Sequence, residues 1–331
     1  MSDASMLTKV LKAAVQRGAS DVHAKAGDVF RARVDGHLVP LTKQRLTPDQ
    51  TRALAATFAN LRLDDPRLDA LRDFDCSWGL AGVGRFRVNV LRQRSSFMVV
   101  LRVIPFTVPT PEALQIPAPV IQLAESTEGL LLVAGPGGGG KTSTIAAMVH
   151  HINRSSTRHV ITLEDPIEYL HRDLSGSITQ REIGTDTGDV AGGIQAALRQ
   201  DPDVLVIAEL REVAAIDRAL RAAESSRLVI AAVPAPDAVG ALLQVIATMP
   251  PDEREVGRIR LAGALRGVIA QRLEPNPGGE GRRPLVEWLE ATSGLRAALS
   301  DGAEPAALRK AMDKAVKEGK AESFATAAEA N

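Results

Sequence analysis

The sequence predicts an α/β protein in two parts, a smaller α+β region followed by a larger region built on a buried parallel sheet. Three observations carry this. The 331 residues, at ~150 per domain, suffice for about two domains. Apolar residues alternate with polar ones before residue 105 and form short unbroken runs after residue 129. Between these regions, Pro105, Pro109, Pro111, Pro117 and Pro119 interrupt the chain, and proline neither donates to a strand ladder nor continues a helix. Domains are therefore expected at 1–104 and 120–331, joined by a linker at 105–119.

In the first region, Leu7 to Gln16 has helical apolar spacing and stops at Arg17-Gly18. Val29 to Val34 and His37 to Leu41 flank Asp35-Gly36, a dipeptide suited to a tight hairpin turn. Thr47 is a candidate N-cap, with Pro48 at the first helical position. Phe74–Trp78, Arg85–Leu91 and Phe97–Val103 have strand character, and alternation places Arg85, Arg87 and Asn89 on one face. In the second region, Leu130–Ala134, Val160–Leu163, Val204–Ala208 and Leu228–Val233 are continuous apolar runs separated by helical stretches. That is the pattern of parallel strands covered on both faces. Pro305 to Asn331, rich in Ala and Lys, is expected to be helical.

Composition removes several classes. A 45% hydrophobic content with 24% charged residues of mixed sign excludes a disordered chain. No apolar run reaches the length of a membrane-spanning helix, and the N-terminus lacks the pattern of a secretory signal. One cysteine, Cys76, excludes an internal disulfide framework and reads as a small buried hydrophobe. A cytoplasmic protein is expected. The zero net charge hides an asymmetry: residues 1–105 carry 17 basic and 10 acidic groups, and the remainder 23 basic and 30 acidic. Opposite signs suit docking of one half on the other, within a chain or between chains. A nucleic-acid-binding arm fits less well, because the arginines are scattered and stacking aromatics are few.

The chemistry concentrates in three motifs. Gly135-Pro136-Gly137-Gly138-Gly139-Gly140-Lys141-Thr142 matches G-x-x-x-x-G-K-[ST], follows an apolar run and precedes the helical segment Thr142–Asn153. Such a loop wraps backbone N–H groups around phosphate oxygens at a helix N-terminus. Lys141 then reaches the β- and γ-phosphates, the Thr142 hydroxyl ligates Mg²⁺, and Ser143 completes the nucleotide-binding segment. The second motif is the apolar strand Val204–Ala208 ending in Glu209, the position of a carboxylate that holds Mg²⁺ through water. The third, Glu164-Asp165-Pro166-Ile167-Glu168, clusters acids just beyond another strand, where one carboxylate can polarise an attacking water; a solvated acidic turn is the alternative.

Together these stretches resemble a known family. GPGGGGKT, ITLEDPIEY, TQREIGTDT and ALRQDPDVLVIAELRE, in that order, are similar to the PilT-like ATPases, the type IV pilus retraction motors of the type II/IV secretion ATPase superfamily. The likeness extends to ASDVHAKAGDVFRARVDGHLVPL, GRFRVNVLRQRSSFMVVLRVIP and MDKAVKEGKAESFATAAEA, and so covers nearly the whole chain. It implies a RecA-like P-loop domain behind a smaller PAS-like domain, and a hexameric ATPase using ATP and Mg²⁺. Nucleotide is expected between the two domains and at the subunit boundary, with Arg85, Arg87 and Arg102 approaching its phosphates; a solvated strand face is the alternative for these arginines. Lys141 and Thr142 match the phosphate-loop pair, Glu209 the Mg²⁺-site acid and Glu168 the general base. Implied partners are other copies of the chain and an inner-membrane platform protein or a paralogous ATPase, with no nucleic acid. The implied location is the cytoplasmic face of the inner membrane, reached through those partners. The length, without the extra N-terminal domain usual in extension-type relatives, favours the retraction type.

The departures gather around the site. The family's GPTGSGKS gains two glycines here, and its ETGHLVFGTLHTTSA-like segment carries Arg227 and Pro234 in place of two histidines that sense or position nucleotide. Proline has neither an imidazole nor an N–H. Thr185 replaces an arginine, and the AIRNLIRE-like stretch is reduced to Ser293-Gly-Leu-Arg-Ala-Ala-Leu-Ser. A slow hydrolase is expected; the alternative is a weak or inactive nucleotide-binding paralogue with a structural or regulatory role. His150-His151 is read as favourable charge at a helix end, and Arg282-Arg283 as solvated loop residues.

Overall fold

The computed structural model describes residues 3–34, 36–104, 107–275 and 282–330. It divides the chain into two compact units: Met1–Thr107 with Glu168–Leu170, and Val108–Ile167 with His171–Asn331. Among the described residues no helix is long and apolar enough to cross a membrane.

The first unit contains α1 (Asp3–Gln16), β1 (Asp21–Lys25), β2 (Arg31–Val34), β3 (His37–Pro40), α2 (Pro48–Phe58), α3 (Pro66–Ala70), β4 (Asp73–Leu80), β5 (Gly84–Gln93) and β6 (Ser96–Ile104). The strands form one antiparallel sheet, ordered β3-β2-β1-β6-β5-β4. Helix α1 presents Leu7, Val10, Leu11 and Ala14 to the core, where Phe86, Val88 and Val90 of β5 are also buried. Thr47 caps α2 as expected and adds a reciprocal bond: its hydroxyl accepts from Gln50 N, while Gln50 Oε1 accepts from Thr47 N. Cys76 is half-buried against this core. Strand β1 offers only Val22 and Ala24 as an apolar pair, too short a signal to stand out. Asp35 of the expected turn and Pro105 of the expected linker lie outside the described residues.

The second unit contains α4 (Ala118–Ala124), β7 (Gly129–Ala134), α5 (Lys141–Ser155), β8 (His159–Glu164), β9 (Ser177–Glu182), α6 (Val190–Ala197), β10 (Val204–Ile207), α7 (Val213–Glu224) and β11 (Leu228–Val233). It continues with α8 (Ala238–Thr248), α9 (Arg254–Ala264), β12 (Leu265–Pro275), β13 (Arg282–Glu290), α10 (Ser293–Ser300), α11 (Pro305–Lys317), β14 (Ala321–Glu322) and α12 (Phe324–Ala330). Sheet order is β14-β13-β12-β7-β11-β10-β8-β9, parallel from β12 to β9 and antiparallel at β13 and β14. Strand β11 separates β7 from β10, as in a RecA-like sheet. Both faces are covered: Leu130, Leu132 and Ala134 of β7 enter one apolar cluster, and Leu131 and Val133 the other.

The C-terminal stretch departs from one expected helical run. Helix α11 ends before Gly319, which has φ +69°, and β14 intervenes before α12. Buried Glu287 on β13 ties this end to the sheet edge, accepting from Ala238 N of α8 at 2.7 Å and from Phe324 N of α12 at 3.1 Å.

Candidate nucleotide site

The three sequence motifs at the ends of β7, β8 and β10, and Pro234 at the end of β11, converge because those strands are parallel and in register. Ala134 pairs with Val233 and with Ala270 of β12, while Ile207 pairs with Leu163 and Ala231. The chain therefore leaves the sheet at Gly135, Glu164, Glu209 and Pro234 on one edge, the carboxyl end where open α/β sheets gather ligands.

The loop Gly135–Gly140 leads directly into α5, whose N-cap Gly140 has a left-handed backbone with φ +90°. A Cβ there would lie 2.5 Å from Gln271 Nε2, and one on Gly135 2.5 Å from the Gln271 carbonyl oxygen. Glycine is thus required at both positions. Gly137, in contrast, has open space around it. Lys141 Nζ donates to the carbonyls of Gly135 at 2.8 Å and Pro136 at 3.1 Å. Burial lowers its pKa, the carboxylate of Glu209 opposes that shift, and Arg211 adds to it. Thr142 is exposed on the first turn, while Thr144 is buried and donates to Gln271 Oε1. Glu209 holds Arg211 at 2.7 Å.

In the acidic segment, Glu164 accepts from Thr162 Oγ1 at 2.6 Å and Gln180 Nε2 at 2.9 Å. The buried carboxylate of Glu182, paired across to Glu164, accepts from Ile167 N and from the Thr185 hydroxyl. Thr185 therefore has a structural use at the position where the family resemblance expects arginine. Glu168 is exposed and groups with the first unit.

Arg85, Arg87 and Arg102 belong to the first unit and share the open face of its sheet. Arg87 stands opposite Arg102, and Arg102 opposite Asp21, whose carboxylate accepts from Arg102 Nε at 3.0 Å. Like charges directly opposite each other are unfavourable in a sheet, and Asp21 offsets that repulsion.

Three expectations change. Arg227 precedes the amino end of β11 and Pro234 follows its carboxyl end, so about 20 Å of strand separates them. Only Pro234 lies on the phosphate-loop edge. His151 pairs with Glu125 at 2.9 Å rather than serving only the helix end. Arg282 is exposed, as expected, and Arg283 is half-buried; both open β13 rather than a loop and line a cavity of about 390 Å³ beside Gly140, Ser143, Leu114 and Leu273. Sequence reasoning missed Gln271, Thr144 and Glu182. No local signal marks them: Thr144 follows the polar Lys141-Thr142-Ser143, Glu182 ends the polar-rich Ser177–Glu182, and Gln271 sits beside Arg272.

A glycine loop joining a buried strand to a helix, with a lysine at the first helical position and an acid ending the strand two places away in the sheet, defines a P-loop nucleotide-binding protein. The chain belongs to the type II/IV secretion system protein family, whose model matches residues 3–311. It is 37% identical over 283 residues to the type IV pilus ATPase PilU of Pseudomonas aeruginosa, covering 85% of this chain and 73% of PilU. To the type IV pilus retraction ATPase PilT of the same organism it is 34% identical over 292 residues, covering 88% of this chain and 84% of PilT. A crystal structure of the pilus retraction motor PilT with bound ADP matches with a TM-score of 0.82 at 35% identity, over 98% of this chain and 96% of that one.

Proposed function

We propose that this chain binds and hydrolyses ATP as the hexameric motor of a type IV pilus system, driving pilus retraction and twitching motility. The observation that carries the reading is the phosphate loop: glycine is required at its first and last positions, Gly135 and Gly140, and its lysine is held by the carbonyls of Gly135 and Pro136. Residues 1–104 serve as the N-terminal domain, 105–119 as linker and 120–331 as the ATPase domain. Gly135 to Ser143 grip the phosphates, and the cavity beside Gly140 takes the base, with Leu114 and Leu273 as apolar walls.

Thr142 and Glu209 offer the hard oxygen donors that suit Mg²⁺, Glu209 through water. A bound Mg²⁺ would there supply positive charge against the phosphate oxygens. Glu168 accepts the proton of the attacking water, and the Lys141 ammonium stabilises charge developing on the γ-phosphate oxygens. Arg85, Arg87 and Arg102 present a cationic face toward those phosphates from a neighbouring position in the ring. Partners are other copies of the chain and an inner-membrane platform protein or paralogous ATPase, with no nucleic acid, at the cytoplasmic face of the inner membrane.

A second reading, a nucleotide-binding paralogue with a structural or regulatory role, draws on one observation. Pro234 lies on the site edge, where it supplies neither an imidazole nor an N–H. Phosphate release from Mg·ATP by wild-type protein mixed with Glu168→Gln protomers separates the two. Turnover falling faster than the wild-type fraction supports a motor with interdependent protomers; turnover indifferent to the added variant contradicts it.

A further inference from the structure

We infer that Gln271 is a positioning residue of the phosphate loop, turning the Gly139–Gly140 peptide so that the Gly140 N–H faces the bound phosphates. The inference rests on the nucleotide-binding reading and adds to it the residue that sets the shape of the grip.

Gln271 follows Ala270, the partner of Ala134 at the end of β7, so β12 delivers it directly behind the loop. Its side chain is buried and both ends of its amide are used. Nε2 donates to the Gly139 carbonyl at 3.0 Å, and Oε1 accepts from the Thr144 hydroxyl. In a trans peptide the C=O and N–H point in opposite directions. Drawing the Gly139 oxygen toward β12 therefore aims the Gly140 N–H away from β12, into the loop's concave side.

The reverse orientation of the amide would set Oε1 against the Gly139 oxygen, acceptor against acceptor. The Thr144 hydroxyl stabilises the productive orientation from the first turn of α5, where its own N–H donates to the Gly140 carbonyl at 3.0 Å. Helix, loop and strand thus close on one side chain. A loop with four consecutive glycines from 137 to 140 has many conformations to lose on binding, which gives a fixed external contact more leverage.

The test uses the full chain and ADP carrying a fluorescent label on the ribose, titrated with Mg²⁺ present. Wild type is compared with Lys141→Ala, Gln271→Met, Gln271→Glu and Thr144→Val, and melting temperature is followed with and without ADP. Gln271→Met keeps the volume but neither bond, so a packing role alone predicts wild-type affinity. We expect about tenfold weaker binding for Gln271→Met and more for Gln271→Glu, whose second oxygen opposes the Gly139 carbonyl. Thr144→Val should weaken binding about threefold. Melting without ADP should fall by a few degrees in each Gln271 or Thr144 variant, because buried partners lose a bond, and the ADP-induced rise should shrink in addition.

Wild-type affinity in both Gln271 variants, with Lys141→Ala binding lost, would overturn the inference and leave the nucleotide reading intact. Absence of binding in wild type would overturn both. Should the Gln271 variants fail to fold, Thr144→Val decides: weakened binding by a protein that still melts cooperatively supports the inference, and wild-type affinity overturns it.

Discussion

The two units differ in where they bury charge: one buried carboxylate, Asp21, in the first, and more, with backbone partners, in the second. In the first, the ion pair Arg62–Asp64 lies largely in water, Arg67 reaches solvent from its pair with Asp65, and the sheet presents Arg87 and Arg102 on an open face. In the second, Glu182, Glu287, His171 and Lys141 are wholly or partly withdrawn from solvent, and Glu182, Glu287 and Lys141 bond backbone groups there. Exposed pairs add little stability and leave their charges available to partners. Buried polar groups fix the backbone around them, at high cost when a bond is lost. The second unit therefore holds a shaped site, and the first an adaptable cationic surface.

Removing a buried acceptor should give the largest effect. Glu287→Ala strands the N–H groups of Ala238 and Phe324 and should cost about 3 kcal/mol in denaturant unfolding. Asp64→Ala, by comparison, should leave the unfolding midpoint unchanged; equal losses would erase the distinction between the units.

His171 sharpens it through pH. Burial, helped by His150, lowers its pKa to about 4, below the unfolded value of 6.5. The folded imidazole stays neutral while the unfolded one takes a proton. Its stabilising contribution is full above pH 6.5 and is lost as pH falls toward 4. A penalty of about 2 kcal/mol is expected by pH 5. Thermal melts across that range should show a shallower slope in His171→Asn than in wild type, with the half-buried His23 contributing to the remainder.

Asp21→Asn removes the counter-charge between Arg102 and Arg33, which stand opposite it on either side. A destabilisation of about 1 kcal/mol at low salt, shrinking as salt is added, is expected, because Asp21 is buried while the Arg102 guanidinium reaches solvent. Gly137→Thr should matter least. The space there is open, so ADP affinity should stay within about twofold of wild type, whereas Gly140→Ala should lose binding because of its left-handed backbone and the nearby Gln271 amide.

Much of the second unit was legible because continuous apolar strands and fixed glycine spacing are local signals. The loop, the Glu209 strand and the acidic segment all took their places on one sheet edge. What escaped is non-local: Gln271 meets Gly139 across 132 residues of chain, and nothing near Gln271 in sequence announces that contact. The end of a strand at which a residue sits also decides its use. Arg227 and Pro234 looked equivalent as two altered positions, and only the sheet register separates them. The Gly- and Pro-rich sequence before Arg282 and Arg283 reads as a loop, and only pairing with β12 places these arginines on a strand beside the cavity, Arg282 still exposed.

The measurement that bears most directly on nucleotide turnover is phosphate release from Mg·ATP by the purified chain, beside Lys141→Ala. Slow but measurable turnover in wild type, abolished in Lys141→Ala, is the predicted result. ATP bound by wild type with no phosphate released would contradict it and favour the regulatory paralogue.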